Sequence, residues 1–284
     1  MTEPNISQKY TVSTIYDNFK LYIGKSFLNG QLLDYQKILL NRLPIYLNVK
    51  DKVVLEVGAE DANTLHALEK QGMRYGIGIN NWLWEYEEEN VFRVTDHIIL
   101  GHGDINSLPI EDNSFDVIIS VAAFEHILNL EKALQEMYRL LKPGGVIFTM
   151  FAPIWSNPFV GHHLWFENKG NGYRFNEEDS YRHLIKPGEH LLYDKAEMKN
   201  ILEQRCDSQL AEQLIYELYD TYVINRYTYA DYRRFIANSG FKIISFKKYW
   251  ETLVDQALLE KLQQKHGCLI DFCYAGLELL LQKP

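Results

Sequence analysis

Short apolar runs alternate with segments of helical spacing between residues 51 and 151, and this alternation constrains the fold more than any other feature. Each run is nearly continuous in β-branched or large apolar side chains, which is typical of strands that are covered on both faces. The runs are 53–57, 75–79, 97–100, 115–121 and 146–151. Strands that alternate with helices are joined by right-handed crossovers into a parallel sheet. The pattern predicts an α/β fold with a doubly wound sheet.

Helical spacing marks the intervening segments 62–71, 82–90 and 129–141. In the last of these, apolar side chains recur at intervals of three and four residues and form one stripe. The members of this stripe are Leu130, Ala133, Leu134, Met137, Leu140 and Leu141. Pro143, Gly144 and Gly145 follow, and they are expected to end this helix before the next strand.

The regions that flank this core differ from it in pattern. Residues 1–50 show helical spacing in 11–23 and 31–43, so we expect an N-terminal helical lid. Residues 152–227 are rich in aromatic residues and His and lack the strand–helix rhythm, and we interpret them as an inserted substrate cap. Residues 228–284 complete the core sheet. There the pattern predicts helices at 229–238 and 252–265 and strands at 241–246 and 270–281.

Charge and cysteine content exclude several classes of function. The 284 residues carry a formal net charge of −9 without a block of Lys or Arg, so nucleic acid is not expected as a partner. The three cysteines lack the spacing of a zinc site or a disulfide framework, which indicates a reducing compartment. No segment reaches the roughly 18 apolar residues that span a bilayer. We therefore expect a soluble cytoplasmic protein that acts on a small molecule away from the membrane; the oligomeric state stays open.

Five motifs in order give the core a specific resemblance. The first strand ends in Glu56-Val57-Gly58; Gly103-Asp104 leads into Leu108-Pro109, and Asp112 to Ser120 precedes Glu125-His126-Ile127. Leu140-Leu141-Lys142-Pro143-Gly144-Gly145 closes the series. In these motifs the chain resembles the class I S-adenosylmethionine (SAM)-dependent methyltransferases over residues 51–151, and more loosely over 228–283. The resemblance implies a Rossmann-like, doubly wound, seven-stranded mixed sheet.

The resemblance also implies a set of cofactor contacts. Glu56, Gly58 and Ala59 would border the methionine and ribose of SAM, and Asn80 or Asn81 would bond a ribose hydroxyl. Asp104 would accept a hydrogen bond from the adenine amino group beside the Ile105 amide, since a carboxylate is a good acceptor. Ala122 and Phe124 would pass under the methionyl end. The product would be S-adenosylhomocysteine.

The chain departs from the pattern of this family in two places, the first turn and the second strand. Glu60 and Asp61 stand in the first turn, where small residues are usual, although both suit a helix N-terminus. Gly78 aligns with the acidic residue that usually holds the ribose. These departures motivate an alternative function, a methyltransferase-fold protein without methyl transfer that serves as a binding subunit or catalyses a SAM-independent rearrangement or cyclisation.

Histidines supply candidates for a catalytic base. Pro153 and Trp155, followed by Gly161-His162-His163, look like a subset of small-molecule O-methyltransferases in which a His deprotonates the acceptor. His titrates near working pH, as such a base requires. The candidates are His162, His163, His190 and His126, each of which has a structural interpretation as well. No ligand spacing of a known metal site is present, so no metal is expected. The favoured function is O-methylation of a small molecule by SAM with a His base.

Overall fold

The structure is a computed structural model that describes residues 9–13, 28–81, 91–159, 184–267 and 270–284, together with the main chain of 164–165 and 172–173. The helices are α1 (Asp34–Tyr46), α2 (Asn63–Glu69), α3 (Leu130–Leu140), α4 (Glu189–Leu192), α5 (Lys195–Glu203), α6 (Ser208–Ile215), α7 (Tyr229–Asn238) and α8 (Gln256–His266). The strands are β1 (Val53–Val57), β2 (Tyr75–Asn80), β3 (Val91–Arg93), β4 (Ile98–His102), β5 (Phe115–Val121), β6 (Leu141–Phe151), β7 (Leu164–Trp165), β8 (Gly172–Tyr173), β9 (Lys242–Glu251) and β10 (Tyr274–Gln282).

Eight of these strands form one sheet in the order β3-β4-β2-β1-β5-β6-β10-β9. The inner strands β4, β2, β1, β5 and β6 run parallel, while β3, β10 and β9 are antiparallel to their neighbours. The chain runs outward in one direction from β1 to β2 and in the other from β5 to β6. Strand β1 therefore lies at the switch point of the topology, where open α/β sheets bind ligands beyond the carboxyl ends of the strands.

Alternation along β1 divides the hydrophobic core between the two faces of the sheet. Val53, Leu55 and Val57 pack in one apolar cluster, and Val54 packs in the other. The predicted stripe of α3 lies in the first cluster, where Leu130, Ala133, Leu134, Met137 and Leu140 are all fully buried. Asn129 caps this helix by accepting a hydrogen bond from the Lys132 amide at 3.2 Å. The side chains that define the sequence pattern thus build the core.

The predicted α/β class with a doubly wound mixed sheet is confirmed, but the count of seven strands is wrong. The eighth strand is β3, which pairs antiparallel with β4 at the edge of the sheet. Its three residues are too short to carry a periodic signal. Strand β6 also begins earlier than predicted. It starts at Leu141, which pairs with Phe115, and it includes Pro143, Gly144 and Gly145.

The other predicted elements agree with the structure to different degrees. Helix α7 has the predicted bounds, while β9 extends to Glu251 and β10 begins only at Tyr274. Helix α1 accounts for the predicted segment 31–43. The predicted helix 82–90 and most of the predicted helix 11–23 lie outside the described residues.

Residues 184–220 build an apolar cluster of their own. Its buried members are Leu184, Ile185, Met198, Leu202, Ala211, Leu214, Ile215 and Leu218. An ion pair supports this cluster, since Arg205 binds both carboxylate oxygens of Glu189 at 2.6 and 2.8 Å. The sequence interpretation of Leu214, Ile215 and Leu218 as core residues of this region is confirmed, whereas Tyr222 is exposed.

Candidate active site at the carboxyl edge of the sheet

The turn after β1 is held between β2 and the chain that follows β5. The amides of Gly58 and Ala59 both donate to the Ile79 carbonyl, at 2.9 and 3.0 Å. Gly58 has φ +86°, and a Cβ atom there would lie 2.4 Å from Cβ of Ala123. Both the left-handed backbone and the contact distance require glycine at this position. The turn is therefore a close-packed junction at the switch point of the sheet.

Glu56 places a buried carboxyl group directly beneath this turn. The residue is 2% exposed, and its Oε2 atom has no hydrogen-bond partner among the described residues. Burial raises the pKa of Glu56 to about 8; the nearby charge of Asp61 adds to this, and the Thr64 side chain opposes it. A buried carboxyl group without a partner costs stability, so such a group is a candidate for ligand binding. A ligand that brings an ammonium group would favour the charged carboxylate.

Glu60 and Asp61, the two acidic residues of the first turn, have different contacts. Asp61 Oδ1 accepts hydrogen bonds from the Asn63 amide at the start of α2 and from the Gln36 side chain, both at 2.9 Å. This agrees with its interpretation as a residue of a helix N-terminus. Glu60 is exposed and accepts a hydrogen bond from the Tyr35 hydroxyl at 2.8 Å. Helix α1 is thus joined to the turn by two side-chain contacts.

The predicted adenine and ribose residues lie at the ends of β2 and β4. Asn80 is the last residue of β2 and pairs with His102, and Asn81 follows it. Asp104 is exposed, and its Oδ1 atom accepts from the amide and side chain of Asn106 at 2.9 and 2.8 Å. Ile105 is buried. These neighbouring strand ends bring the predicted residues to the same edge of the sheet as Gly58.

Gly78 does not occupy the end of β2, in contrast to the sequence alignment. It lies two residues inside the strand, where a Cβ atom would come within 2.5 Å of Leu100 and 2.8 Å of Ala59. An acidic side chain has no space there. Asn80 is the residue that ends β2, beside His102 of β4.

The chain after β5 forms the opposite wall of this junction. Ala122 has φ +49°, and its amide donates to the Met150 carbonyl at 2.9 Å. Phe124 is fully buried, and its ring stacks on Phe151 with the centroids 5.3 Å apart. The side chain of Phe124 therefore belongs to the core, and the part of this segment that remains for a ligand is the main chain of 122–123.

His126 lies in the short 3-10 turn Phe124–His126 that follows. Its Nδ1 atom is 2.5 Å from the Val223 carbonyl oxygen, which can only accept, so Nδ1 carries the proton. The lone pair of the neutral ring is then on Nε2. Burial lowers the pKa of His126, while the Val223 carbonyl and the charge of Glu60 act in the opposite direction. A neutral imidazole with its lone pair on Nε2 is the form that a general base requires.

Glu125 is a second buried carboxyl group beside this histidine. It is 2% exposed, and its Oε2 atom has no hydrogen-bond partner among the described residues. Burial raises the pKa of Glu125 to about 8, although its own amide and the amide of Ala152 favour the charged form. The edge of the sheet therefore holds two carboxyl groups, Glu56 and Glu125, that are largely protonated at neutral pH.

His190 lies in a different environment from His126. Its ring packs edge-on against Trp155 with the centroids 4.9 Å apart, and Nε2 donates to the Trp155 carbonyl at 3.2 Å. The residue is 4% exposed, and burial lowers the pKa of His190 to about 4. These contacts are those of a core residue. The other two predicted bases, His162 and His163, lie outside the described residues.

Asn225 is a residue of this site that the sequence analysis missed. Its side chain donates to the carbonyls of Phe124 and Ile127, and its amide donates to the Glu125 carbonyl. The partners are about 100 residues away in the chain, so no local pattern in the sequence connects them. The available signal was a polar residue directly after the apolar Val223 and Ile224, near the end of the segment 152–227.

Within the parts of the chain that the structure describes, no group of three or more His, Cys, Asp or Glu side chains is arranged to hold a metal ion. Of the helices in the same parts, none combines the length and apolar character needed to cross a membrane.

Comparison with known proteins places the core in a family. Residues 55–149 match the methyltransferase domain family. The demethylmenaquinone methyltransferase of Staphylococcus haemolyticus is 30% identical over 154 residues, which are 52% of this chain and 62% of that protein. The sterol 24-C-methyltransferase of Aspergillus fumigatus is 32% identical over 99 residues, 33% of this chain and 26% of that one. The chain thus spans less than two thirds of the length of either relative.

A solved structure extends the likeness of fold beyond the core. A protein from Galdieria sulphuraria, provisionally described as a sarcosine dimethylglycine methyltransferase, superposes with a TM-score of 0.50 at 16% identity, covering 87% of this chain and 84% of that one. At this identity the likeness concerns the fold alone. The family match is confined to residues 55–149, and the strand order of the sheet is compatible with it.

Proposed function

We propose that this protein transfers a methyl group from SAM to an oxygen atom of a small-molecule acceptor, with His126 as the general base. The observation that carries the proposal is the meeting of three features at one edge of the sheet. These features are the glycine turn after β1, the buried carboxyl group of Glu56 beneath it, and the Nε2 lone pair of His126 on the adjoining turn.

The residues present fit a ligand with an ammonium group and a ribose. Glu56 holds a buried carboxyl oxygen without a partner among the described residues, and its charged form would be favoured by an ammonium group. Asn80 and Asp104 lie at the neighbouring strand ends, where they would contact a ribose hydroxyl and an adenine amino group. When bound, SAM supplies an electrophilic methyl group on a sulfonium ion.

Methyl transfer to a hydroxyl requires alignment of the acceptor and removal of its proton. Nε2 of His126 would take the proton of the acceptor hydroxyl as that oxygen receives the methyl group, and SAM would leave as the neutral thioether S-adenosylhomocysteine. The imidazolium formed in this way keeps its Nδ1–H bond to the Val223 carbonyl, which helps to stabilise the new positive charge. The proton is then released to water. Of the two candidate histidines among the described residues, His126 has contacts that support this role better than those of His190.

The names of the relatives support a small-molecule acceptor but not yet its atom. One relative is named for demethylmenaquinone and the other for carbon 24 of a sterol. An oxygen acceptor is preferred here because a residue with the properties of a general base lies at the site. The choice between oxygen and carbon is part of the test below.

The proposal is tested in two stages. Isothermal titration with SAM and with S-adenosylhomocysteine measures cofactor binding, and the absence of binding by both at millimolar concentration would overturn the proposal. Release of S-adenosylhomocysteine is then measured against a panel of phenols, aliphatic alcohols, carboxylic acids and quinone precursors. Mass spectrometry and NMR of the product identify the atom that carries the new methyl group, and a C-methylated product would contradict the O-methylation.

The alternative function, a methyltransferase fold without methyl transfer, predicts that Glu60 fills the cleft. A side chain that plugs a cleft would be buried, whereas Glu60 is exposed and accepts a hydrogen bond from Tyr35. This contact does not favour the alternative. Stable SAM binding without release of S-adenosylhomocysteine for any acceptor would favour it again.

A further inference from the structure

We propose that the end of the inserted segment, residues 223–225, orients His126 for the reaction, with Asn225 as a positioning residue that never touches the acceptor. This inference rests on the proposed function, because it assigns a role in the reaction that we propose. It goes beyond that function by making the preparation of the base depend on a segment almost 100 residues away in the chain.

Asn225 clamps the turn that carries His126. Its Nδ2 group donates to the carbonyl of Phe124 at 2.7 Å and to the carbonyl of Ile127 at 3.0 Å, on both sides of the histidine. Its main-chain amide donates to the Glu125 carbonyl at 2.7 Å. Three main-chain carbonyls within residues 124–127 are therefore bonded to one residue that is 5% exposed.

The acceptor side of Asn225 is also occupied, which fixes the orientation of its amide group. Oδ1 accepts from the Tyr232 hydroxyl at 3.0 Å and from the Tyr227 amide at 3.2 Å. Because donors approach Oδ1, the Nδ2 group must point to the two carbonyls of the turn. A buried amide with all of these bonds satisfied holds a single geometry.

Val223 selects the tautomer of His126. Its carbonyl accepts the Nδ1 proton, which leaves the Nε2 lone pair for the acceptor. In water an imidazole has no such partner and exchanges between its two tautomers. Since Asn225 holds the turn and Val223 lies two residues before it, the same short segment sets both the position and the tautomer of the ring.

Glu60 is the charged group that acts on His126 among the described residues, and it lies on the first turn rather than on the clamp. The Val223 and Glu60 effects both favour the charged ring, while burial disfavours it. A shift of the segment would change burial and hydrogen bonding together. The tautomer is therefore a more direct readout of the clamp than the titration midpoint.

The experiment measures the tautomer of His126 by two-bond ¹H–¹⁵N NMR of the full chain labelled at histidine, at a pH where the ring is neutral. The His126→Gln variant identifies the signal. We expect the Nδ1–H tautomer in the unaltered protein. A predominant Nε2–H tautomer there would overturn the inference without any variant or activity assay.

The matched variants are Asn225→Asp and Asn238→Asp. The first places a carboxylate oxygen against two carbonyls, while the second makes the same change at an exposed residue at the end of α7. We expect Asn225→Asp to raise the Nε2–H tautomer of His126 and to lower kcat at least about tenfold, with KM for SAM within about threefold of the original value. Asn238→Asp should leave all three unchanged.

The two proposals fail in different ways. If the protein transfers no methyl group, the tautomer measurement still tests the clamp. If methyl transfer occurs and Asn225→Asp changes kcat without a change in the tautomer, the clamp is wrong while the function stands. Should Asn225→Asp fail to fold, the tautomer in the unaltered protein decides the question.

Discussion

The carboxyl edge of the sheet and the region 184–220 differ in the hydrogen-bond partners that they give to buried glutamates. At the carboxyl edge of the sheet, Glu56 and Glu125 each have one oxygen without a hydrogen-bond partner among the described residues. In the region 184–220, Glu189 is 7% exposed and binds Arg205 through both oxygens, with the Lys186 amide at 2.8 Å as a third donor.

This difference in hydrogen-bond partners is the one expected between a region that binds a ligand and a region that stabilises the fold. Leaving a buried carboxyl oxygen without a partner costs on the order of 1 to 3 kcal/mol, so such oxygens are candidates for contact with a ligand or a reacting group. A bidentate pair with arginine has satisfied its hydrogen bonds within the protein. We therefore expect the edge of the sheet to be the less stable of the two regions and the one that binds a ligand, which the following predictions test.

The largest effect is expected from the two histidines, one in each region. His126→Gln removes the proposed base and should lower turnover at least about a hundredfold, with SAM affinity nearly unchanged. His190→Gln disturbs the packing on Trp155 and should lower the free energy of unfolding by about 1 to 3 kcal/mol, with turnover within about threefold of the original. Release of S-adenosylhomocysteine and isothermal titration measure the first change, and urea unfolding measures the second. If His190→Gln lowered turnover and His126→Gln lowered only stability, the catalytic base would belong to the region 184–220.

A glycine in each region gives the next comparison. Gly58 and Gly188 have φ +86° and +79°, so alanine is strained at both. At Gly58 the new Cβ meets Ala123 Cβ at 2.4 Å, whereas at Gly188 it meets the flexible end of Leu258 at 2.9 Å. We expect Gly58→Ala to cost about 3 kcal/mol and to abolish measurable SAM binding, and Gly188→Ala to cost about 1 kcal/mol. Equal losses in urea unfolding would show that strain alone matters.

The unpaired carboxyl groups should make the protein less stable as the pH rises. Glu125 has an ordinary pKa of 4.5 and a pKa of about 8 when folded, so between these values the folded state holds more protons than the unfolded state. Its contribution is complete below pH 4.5 and is lost as the pH rises through 8. Each such group contributes a slope of about 1.4 kcal/mol per pH unit.

Urea unfolding at pH 5.5, 6.5 and 7.5 would measure how the free energy of unfolding changes with pH. These values lie between the ordinary pKa of Glu125, 4.5, and its pKa of about 8 in the folded protein. Glu125→Gln should make this slope shallower. Glu189→Gln is the matched change in the other region, and it should lower stability throughout the range because Arg205 loses its partner. A slope that Glu125→Gln leaves unaltered would contradict the assignment of a buried, protonated carboxyl group.

The smallest effect is expected where the edge of the sheet meets helix α1. Tyr35→Phe removes the hydrogen bond to the exposed Glu60 carboxylate, and exposed charged contacts contribute about 0.5 kcal/mol. We expect SAM affinity to fall by about twofold and stability to change little. Isothermal titration would detect the change, and a loss of more than tenfold would mean that α1 controls access to the site.

Much of the fold could be predicted because its signals are local. The strands 53–57 and 115–121 coincide with continuous apolar runs, and the stripe of α3 coincides with the buried face of that helix. Strand β3 was missed because three residues at an edge carry no periodicity. Gly78 lies inside β2, whose end is shown by the pairing of Asn80 with His102 and could not be read from the sequence.

The sequence predicted which types of residue form the candidate site. It did not predict which of the candidate histidines is placed to act as the base. Glu56 lies near the carboxyl end of β1, and Gly58 and Asp104 follow β1 and β4. Because parallel strands end at one edge of the sheet, the proximity of these residues follows from the pattern. The sequence offered four candidate histidines and did not decide among them. The Val223 carbonyl and the Trp155 ring distinguish His126 from His190, and both contacts join residues that are distant in the chain.

The sequence by itself determined the α/β class, the order of the motifs and the edge of the sheet where they meet, because side-chain periodicity and the direction of parallel strands are local properties. Only the tertiary structure decided which polar groups are buried with partners and which without. That distinction depends on the dielectric surroundings and on hydrogen bonds from distant segments, as Asn225 shows for the turn of His126.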